Sequence, residues 1–368
     1  MPYKISGTKN DTARIIIFKE SDWSIESNTV ISGSGAYEVE NLEIGDKIVV
    51  ARTNGGELLG YGAIIAESYT PAAGDRGVFG GGLSTPGNIR TDVIDYITIS
   101  TTANAQDFGD LTAGRYNPAA ASNGALDRGI FVAGIGISGA INTIDYITIS
   151  SAGDAFYFGD LTTTADGHAG TDNGTNDRGM FVGGVRASAS NIIDYVTIST
   201  GGDAIYFGDL FVIRYELAAC SNDTNDRGIF GGGYESGYKD DIDYVTITST
   251  GNATDFGNLI APNFTLTSTS NGTNNRGIFA GGTTSGAVNN NIEYITITSL
   301  GNAAFFGSLI SGGTYPASTS NKTNGRGIVA GNGQTDVIQY ITINSTGNSN
   351  DFGDLTSPRD RMNGISNA

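Results

Sequence analysis

Short runs of β-branched, aromatic and polar residues recur along most of the chain, separated by Gly, Asn and Asp. The stretch from Arg178 to Leu210 shows the pattern. RGMFVGG is followed by a variable loop, then IIDYVTIS, a turn holding Gly201 and Gly202, and DAIYFGDL. A further segment ends in Ser221-Asn222 before the next Arg-Gly. Runs of this length and composition, bounded by turn residues, predict four antiparallel strands. In IIDYVTIS, Ile193 and Tyr195 fall on one face and Val196 and Ile198 on the other. A sheet apolar on both faces must be covered on both sides.

The same order of markers appears six times. Arg-Gly recurs at Arg76, Arg128, Arg178, Arg227, Arg276 and Arg326. A Tyr within an apolar run follows at Tyr96, Tyr146, Tyr195, Tyr244, Tyr294 and Tyr340, spaced by 50, 49, 49, 50 and 46 residues. Phe-Gly closes each unit at Phe108, Phe158, Phe207, Phe256, Phe306 and Phe352. A period near 50 residues with four strands per unit is that of a kelch-type propeller blade. The first unit has only TPAAG before its Arg-Gly, whereas Thr356–Ala368 matches Thr112–Gly124 of the next unit. The C-terminal strand is therefore expected to complete the first blade and close a six-bladed ring, leaving no open sheet edge between the ends. An open solenoid would need capping ends that the sequence does not display.

The Gly pair after the second strand, as at Gly183-Gly184, is predicted to face Asp194, whose carboxylate would accept the two amide hydrogens. Asp95, Asp145 and Asp243 hold the same place, with Glu293 and Gln339 in the last two units. This pattern resembles kelch-like propellers in period and in Gly placement. The usual kelch Trp is missing, since the one Trp is Trp23, and Phe-Gly stands in the last strand instead.

Residues 1–68 lack these markers and form a separate domain in this reading, with 69–368 as the propeller. Strands are predicted at 3–7, 13–18, 36–42, 47–52 and 58–64. The string GAYEVENLEIGDKIVVA, from Gly35 to Ala51, resembles carboxypeptidase-regulatory-like β-sandwich domains. That resemblance implies an anchor or spacer, so the fold class expected for the whole chain is all-β.

Composition sharpens this picture. Of 368 residues 55 are Gly but only 7 are Pro, with no Gly-X-Y period, which excludes collagen. The 17 Tyr and 16 Phe argue against a disordered chain. No apolar run approaches a membrane span, the opening residues are not those of a secretory signal, and a lone Cys forms no intrachain disulfide. Net charge is −18, and beyond residue 70 there are 14 basic against 28 acidic residues. Nucleic acid and membrane insertion are therefore not expected, and contact with an acidic polysaccharide would need divalent cations or neutral sugars.

Candidate chemistry is sparse. The one His, His168, reads as an exposed loop residue, and Cys220 aligns with small residues as a buried space-filler. A copper oxidase of the galactose-oxidase type needs more than one His, and sialidase-type turns are missing. No nucleophile elbow, P-loop, zinc-protease or EF-hand motif is found. The chain is read as a non-enzyme with neither cofactor nor metal. Asp110, Asp160, Asp209 and Asp354 are read as turn contacts rather than calcium ligands. The six repeated arginines are read as a structural ring making ion-pair or carbonyl contacts between blades. Ligand contacts belong where the units differ, in the loops after the Gly pair. Of these, the fourth offers Tyr234, Tyr238 and Lys239 as candidate sugar-binding groups.

The full unit, best seen from Arg227 to Leu259, resembles repeats in structural proteins of tailed bacteriophages, especially cyanophages and marine phages. The resemblance implies a virion surface component assembled in the host cytoplasm and joined to other virion proteins through residues 1–68. It implies either a tail- or fibre-associated adhesion module for a host glycan or receptor, or a decoration protein of head or tail with a purely structural role.

Overall fold

The computed structural model describes residues 75–368 throughout and, within the first 74, the backbone of six strands. The chain divides into two compact units, Met1–Ala72 and Ala73–Ala368.

In the first unit Tyr3–Lys9 pairs antiparallel with Gly35–Leu42. A second sheet runs in the order Ile25–Ile31, Ala13–Lys19, Lys47–Thr53, Leu58–Gly62. The strand Ile25–Ile31 is additional to those predicted. Its sequence IESNTVI is polar through the middle, which conceals it from a reading based on apolar runs. Packing of the two sheets into a sandwich rests on side chains outside the described residues, as does Trp23.

The second unit contains six antiparallel four-stranded sheets. The second sheet illustrates the order: Ala119–Ser122, Arg128–Gly136, Gly139–Thr148 and Phe156–Asp160. The first sheet is assembled from both ends of the unit, because Asn363–Ser366 pairs with Arg76–Gly80. Each sheet's first strand, short and rich in Ala, Ser, Thr and Gly, lies beside the first strand of the next. The strand Asn363–Ser366 lies between Ala317–Ser320 of the sixth sheet and Ala119–Ser122 of the second.

Six apolar cores fill the spaces between successive sheets. One joins Ile130, Ile144 and Phe158 to Phe181 and Val196 of the next sheet. Another joins Ile328 and Phe352 of the sixth sheet to Phe79 and Ile97 of the first. The apolar groups on both strand faces are thereby removed from water, the dominant favourable term in folding.

The Phe-Gly marker has a steric cause. The third and fourth strands slip register there, as between Ile193 and Asp194. A Cβ on Gly208 would collide with the Gly251 carbonyl of the next sheet's turn. That turn is docked by Gly251 N–H donating to the Phe207 carbonyl (3.1 Å) and Ala253 N–H to Asp209 (2.8 Å).

The predicted role of the Gly pair is corrected. Asp194 lies opposite Phe181, not the glycines, and Gly183 N–H donates to the Ile192 carbonyl. Both glycines have positive φ, 68° and 87°, where the chain turns out of the sheet. The Asp carboxylate instead reaches back to the preceding sheet. Asp145 accepts from the Thr112 amide (3.1 Å) and hydroxyl (2.7 Å), just past that sheet's last strand.

Candidate functional site

The six repeated arginines lie at one end of the sheets, each opening the second strand of its sheet. Each guanidinium sits over the Tyr of its own sheet, 4.3–4.8 Å from the ring centroid. Each also donates to an Ile carbonyl of the next sheet at 2.8–3.1 Å, and Arg326 donates to Ile99 of the first. Beside them a buried Asn accepts the Arg backbone N–H and donates onward, as Asn173 does to Asp226 (2.9 Å). In the sixth sheet Gly325 replaces that acceptor, and Asn344 takes the bond from Asn271 (2.8 Å). These arginines are spread around the unit, one to each junction between sheets.

A second set of charges is buried between the sheets. Arg115–Asp145 (2.5 Å), Arg214–Asp243 (3.0 Å) and Arg359–Asp95 (3.0 Å) are wholly enclosed. Arg186 serves Asp194 (2.8 Å) from the loop after the Gly pair. The position of Arg115 is occupied by Asn263 and Gly313 before the fifth and sixth sheets, and there the acid is Glu293 or the neutral Gln339. Burial raises the Glu293 carboxyl above its ordinary value, partly offset by the Ile260 amide.

At the opposite end each chain segment enters its first strand through one residue in the left-handed region. These are Asn117, Gly167, Glu216, Thr265, Tyr315 and Arg361, with φ between 51° and 59°. Five backbone N–H groups link them in order at this end of the unit, here termed its mouth: Asn117 to Arg361, Arg361 to Tyr315, Tyr315 to Thr265, Thr265 to Glu216 and Glu216 to Gly167, at 2.6–3.2 Å. The backbone is repeated and the side chains are all different. Glycine is the residue this conformation favours, and a non-Gly residue there costs about 1 kcal/mol or more. Only one of the six is Gly.

Side chains of this ring meet across the mouth. Tyr315 donates its hydroxyl to both Glu216 carboxylate oxygens (2.9 Å each), and the Arg361 guanidinium lies 3.5 Å from the Tyr315 ring centroid. Burial raises both the Glu216 carboxyl and the Tyr315 hydroxyl. At the far end Lys322 ties Asp172 (3.3 Å) and Asp223 (3.2 Å) together. Burial alone would lower the Lys322 ammonium, but the two carboxylates raise it.

Beside the mouth, a cavity of about 420 Å³ opens between the first and sixth sheets. Arg90, Arg361, Tyr116, Asn88, Gln334 and Asp360 contribute to its walls. The Asp360 carboxyl is pushed up to about 6 by burial.

Of the residues singled out in the sequence, Tyr234 and Tyr238 do come together. Tyr238 stacks on Phe264 (4.7 Å, 15°), and Tyr234 packs against Tyr215, Tyr238 and Phe264 at 5.6–5.7 Å. Lys239 turns to Glu235 at 3.7 Å. The aromatic faces are thus largely spent on one another, and the group does not line the cavity beside Arg361. His168 is not an exposed loop residue: it is buried against Phe181, at the start of the first strand of the third sheet. Burial and then Arg186 hold its pKa down to about 3, so it stays neutral. Cys220 is buried against Gly277, and burial pushes its thiol up to about 12. No helix among the described residues is long and apolar enough to cross a membrane.

No protein-family model matches the chain, and no curated protein matches it.

Proposed function

We propose that residues 73–368 form a closed six-bladed β-propeller that serves as a non-enzymatic binding module on a tailed-phage virion. Its mouth would engage a host-surface glycan or receptor. Residues 1–68 would attach it to other virion proteins during assembly in the host cytoplasm. The propeller reading is supported by six sheets whose first strands follow one another back to the start, with a core between each pair. The observation that carries the binding reading is the ring at the mouth. A scaffold that repeats its Arg, Asn and Phe-Gly contacts varies every side chain at this position, in a conformation that favours Gly. The neutral, enclosed His168 is unsuited to proton transfer near neutral pH, in keeping with binding rather than catalysis.

A second reading, a decoration protein held by lateral contacts, is favoured by one feature. Phe156, Tyr157, Ile205 and Tyr206 on the outer strands of the second and third sheets are 52–63% exposed. The corresponding positions of the first, fourth and sixth sheets carry Gln, Thr, Asn or Asp. Deleting the propeller from assembled virions separates the two. Loss of host adsorption with intact particles supports the adhesion role. Unchanged adsorption overturns it.

A further inference from the structure

Residues 75–368 contain 14 Arg and Lys side chains, and twelve have a structural duty. Six arginines bond carbonyls of the next sheet. Four are buried against Asp, Lys322 ties two carboxylates, and Lys239 pairs with Glu235. The two that remain are Arg90 and Arg361, and both line the same cavity. Among the described residues neither has an ion-pair partner within 4 Å. Their guanidinium carbons lie 5.4 and 5.7 Å from the centroid of one ring, Tyr116, which places both groups at the same wall, and Arg361 is held there by the Tyr315 ring at 3.5 Å. The carboxyls that act on Arg361 from a distance are Asp166, Glu216 and Asp360, and burial raises all three.

Two guanidiniums that face one cavity and make no contact ion pair among the described residues are free to take an anion supplied from outside. Guanidinium binds carboxylate or sulfate oxygens through paired, charge-assisted hydrogen bonds. The same cavity has Asn88, Gln334 and Thr314 in its walls, groups that donate to and accept from hydroxyls. Its volume, about 420 Å³, is within the range of small-ligand sites. We propose that this cavity binds a sugar residue bearing a carboxylate or sulfate, with Arg90 and Arg361 taking the oxyanion and Asn88, Gln334 and Thr314 the hydroxyls. This rests on the glycan-binding reading above. It also departs from the expectation drawn from overall charge, because the cavity walls themselves carry two guanidiniums and a single carboxyl, Asp360.

The test is calorimetric titration of the full chain with three probes: a galacturonic acid trisaccharide, a sulfated galactose trisaccharide and the neutral galactose trisaccharide. At least one charged probe should bind about tenfold or more tightly than the neutral one, the scale of one charge-assisted contact. Which of them does so identifies carboxylate or sulfate as the source. Arg90→Gln, at an exposed site, should weaken that binding about tenfold with an unchanged melting temperature, and adding Arg361→Gln should abolish it. Equal binding of all three probes, no binding of either charged probe, or full binding by the double variant overturns the proposal. The underlying reading is tested separately by adhesion of the labelled full chain to host cells. Adhesion unaffected by the double variant sinks the charged-sugar site alone, whereas no adhesion at all sinks the binding function with it.

Discussion

Glu293 occupies a place where four of the other sheets carry Asp opposite an arginine and the sixth carries neutral Gln339. Without a cation beside it, its burial acts against the charged form. An acid whose folded pKa lies above its unfolded value stabilises the fold fully below the unfolded pKa, and that contribution is lost as pH rises through the folded pKa. Glu293→Gln should therefore raise stability at neutral pH, with the advantage disappearing below about pH 4.5, a crossover that denaturant titrations at several pH values would reveal. The enclosed pair Arg214–Asp243 predicts the opposite kind of change. Arg214→Ala strands a buried carboxylate and should cost about 3–5 kcal/mol in urea unfolding, whereas replacing both partners with apolar residues should cost less. At the mouth, Thr265→Gly should be stabilising by about 1 kcal/mol, since a β-branched residue is poorly suited to φ 57°. A loss of stability on that change would show the Thr265 side chain to hold the mouth together rather than to face a ligand.

At the scale of the element, the sheets and their period are legible in the sequence because each marker meets the next sheet at one backbone position. Phe-Gly is invariant because another sheet's turn rests where a Cβ would be. Gly208→Ala should accordingly cost about 2 kcal/mol or more by thermal unfolding, although the fourth strand is an edge strand where side chains are normally tolerated. The Gly-pair geometry is hidden in the sequence because it depends on the register of the second and third strands, which sets Asp194 opposite Phe181 and leaves the glycines past the end of that ladder. His168 lies in a Gly- and Asp-rich stretch that looks like a loop, yet its place in the repeat is that of Leu217, Leu266 and Met362, all buried. Alignment with its own repeats, rather than local composition, is the signal that identifies its burial. The mouth escapes a reading by motif for a related reason: its six residues share a backbone angle and no chemistry.

For the molecule as a whole, the decisive contacts are those that join the last sheet to the first. Arg326 to Ile99, the Asp354 amide to Asn104 and the Thr356 hydroxyl to Asp95 repeat contacts made at the other junctions. With six similar cores, each shared by two neighbouring sheets, unfolding of residues 73–368 should be a single cooperative transition. Removing Asn363–Ser366 exposes the edge of Arg76–Gly80 and part of the core around Val78. Calorimetry of that truncation should show a lowered and broadened transition, and hydrogen exchange should be fastest in the first and sixth sheets. An unaltered, sharp transition would mean that the sheets stand without closure.

The pairing of Asn363–Ser366 with Arg76–Gly80 also sets an order of events on the ribosome. The first sheet begins to form early but must wait for almost three hundred further residues before its innermost strand exists. During that interval its edge is open to pairing with a neighbouring nascent chain. A prematurely terminated product never covers it, so a translation error late in the message is converted into a protein with a visible defect. The pairing of Asn363–Ser366 thus covers an edge that, left open, would invite association with other chains.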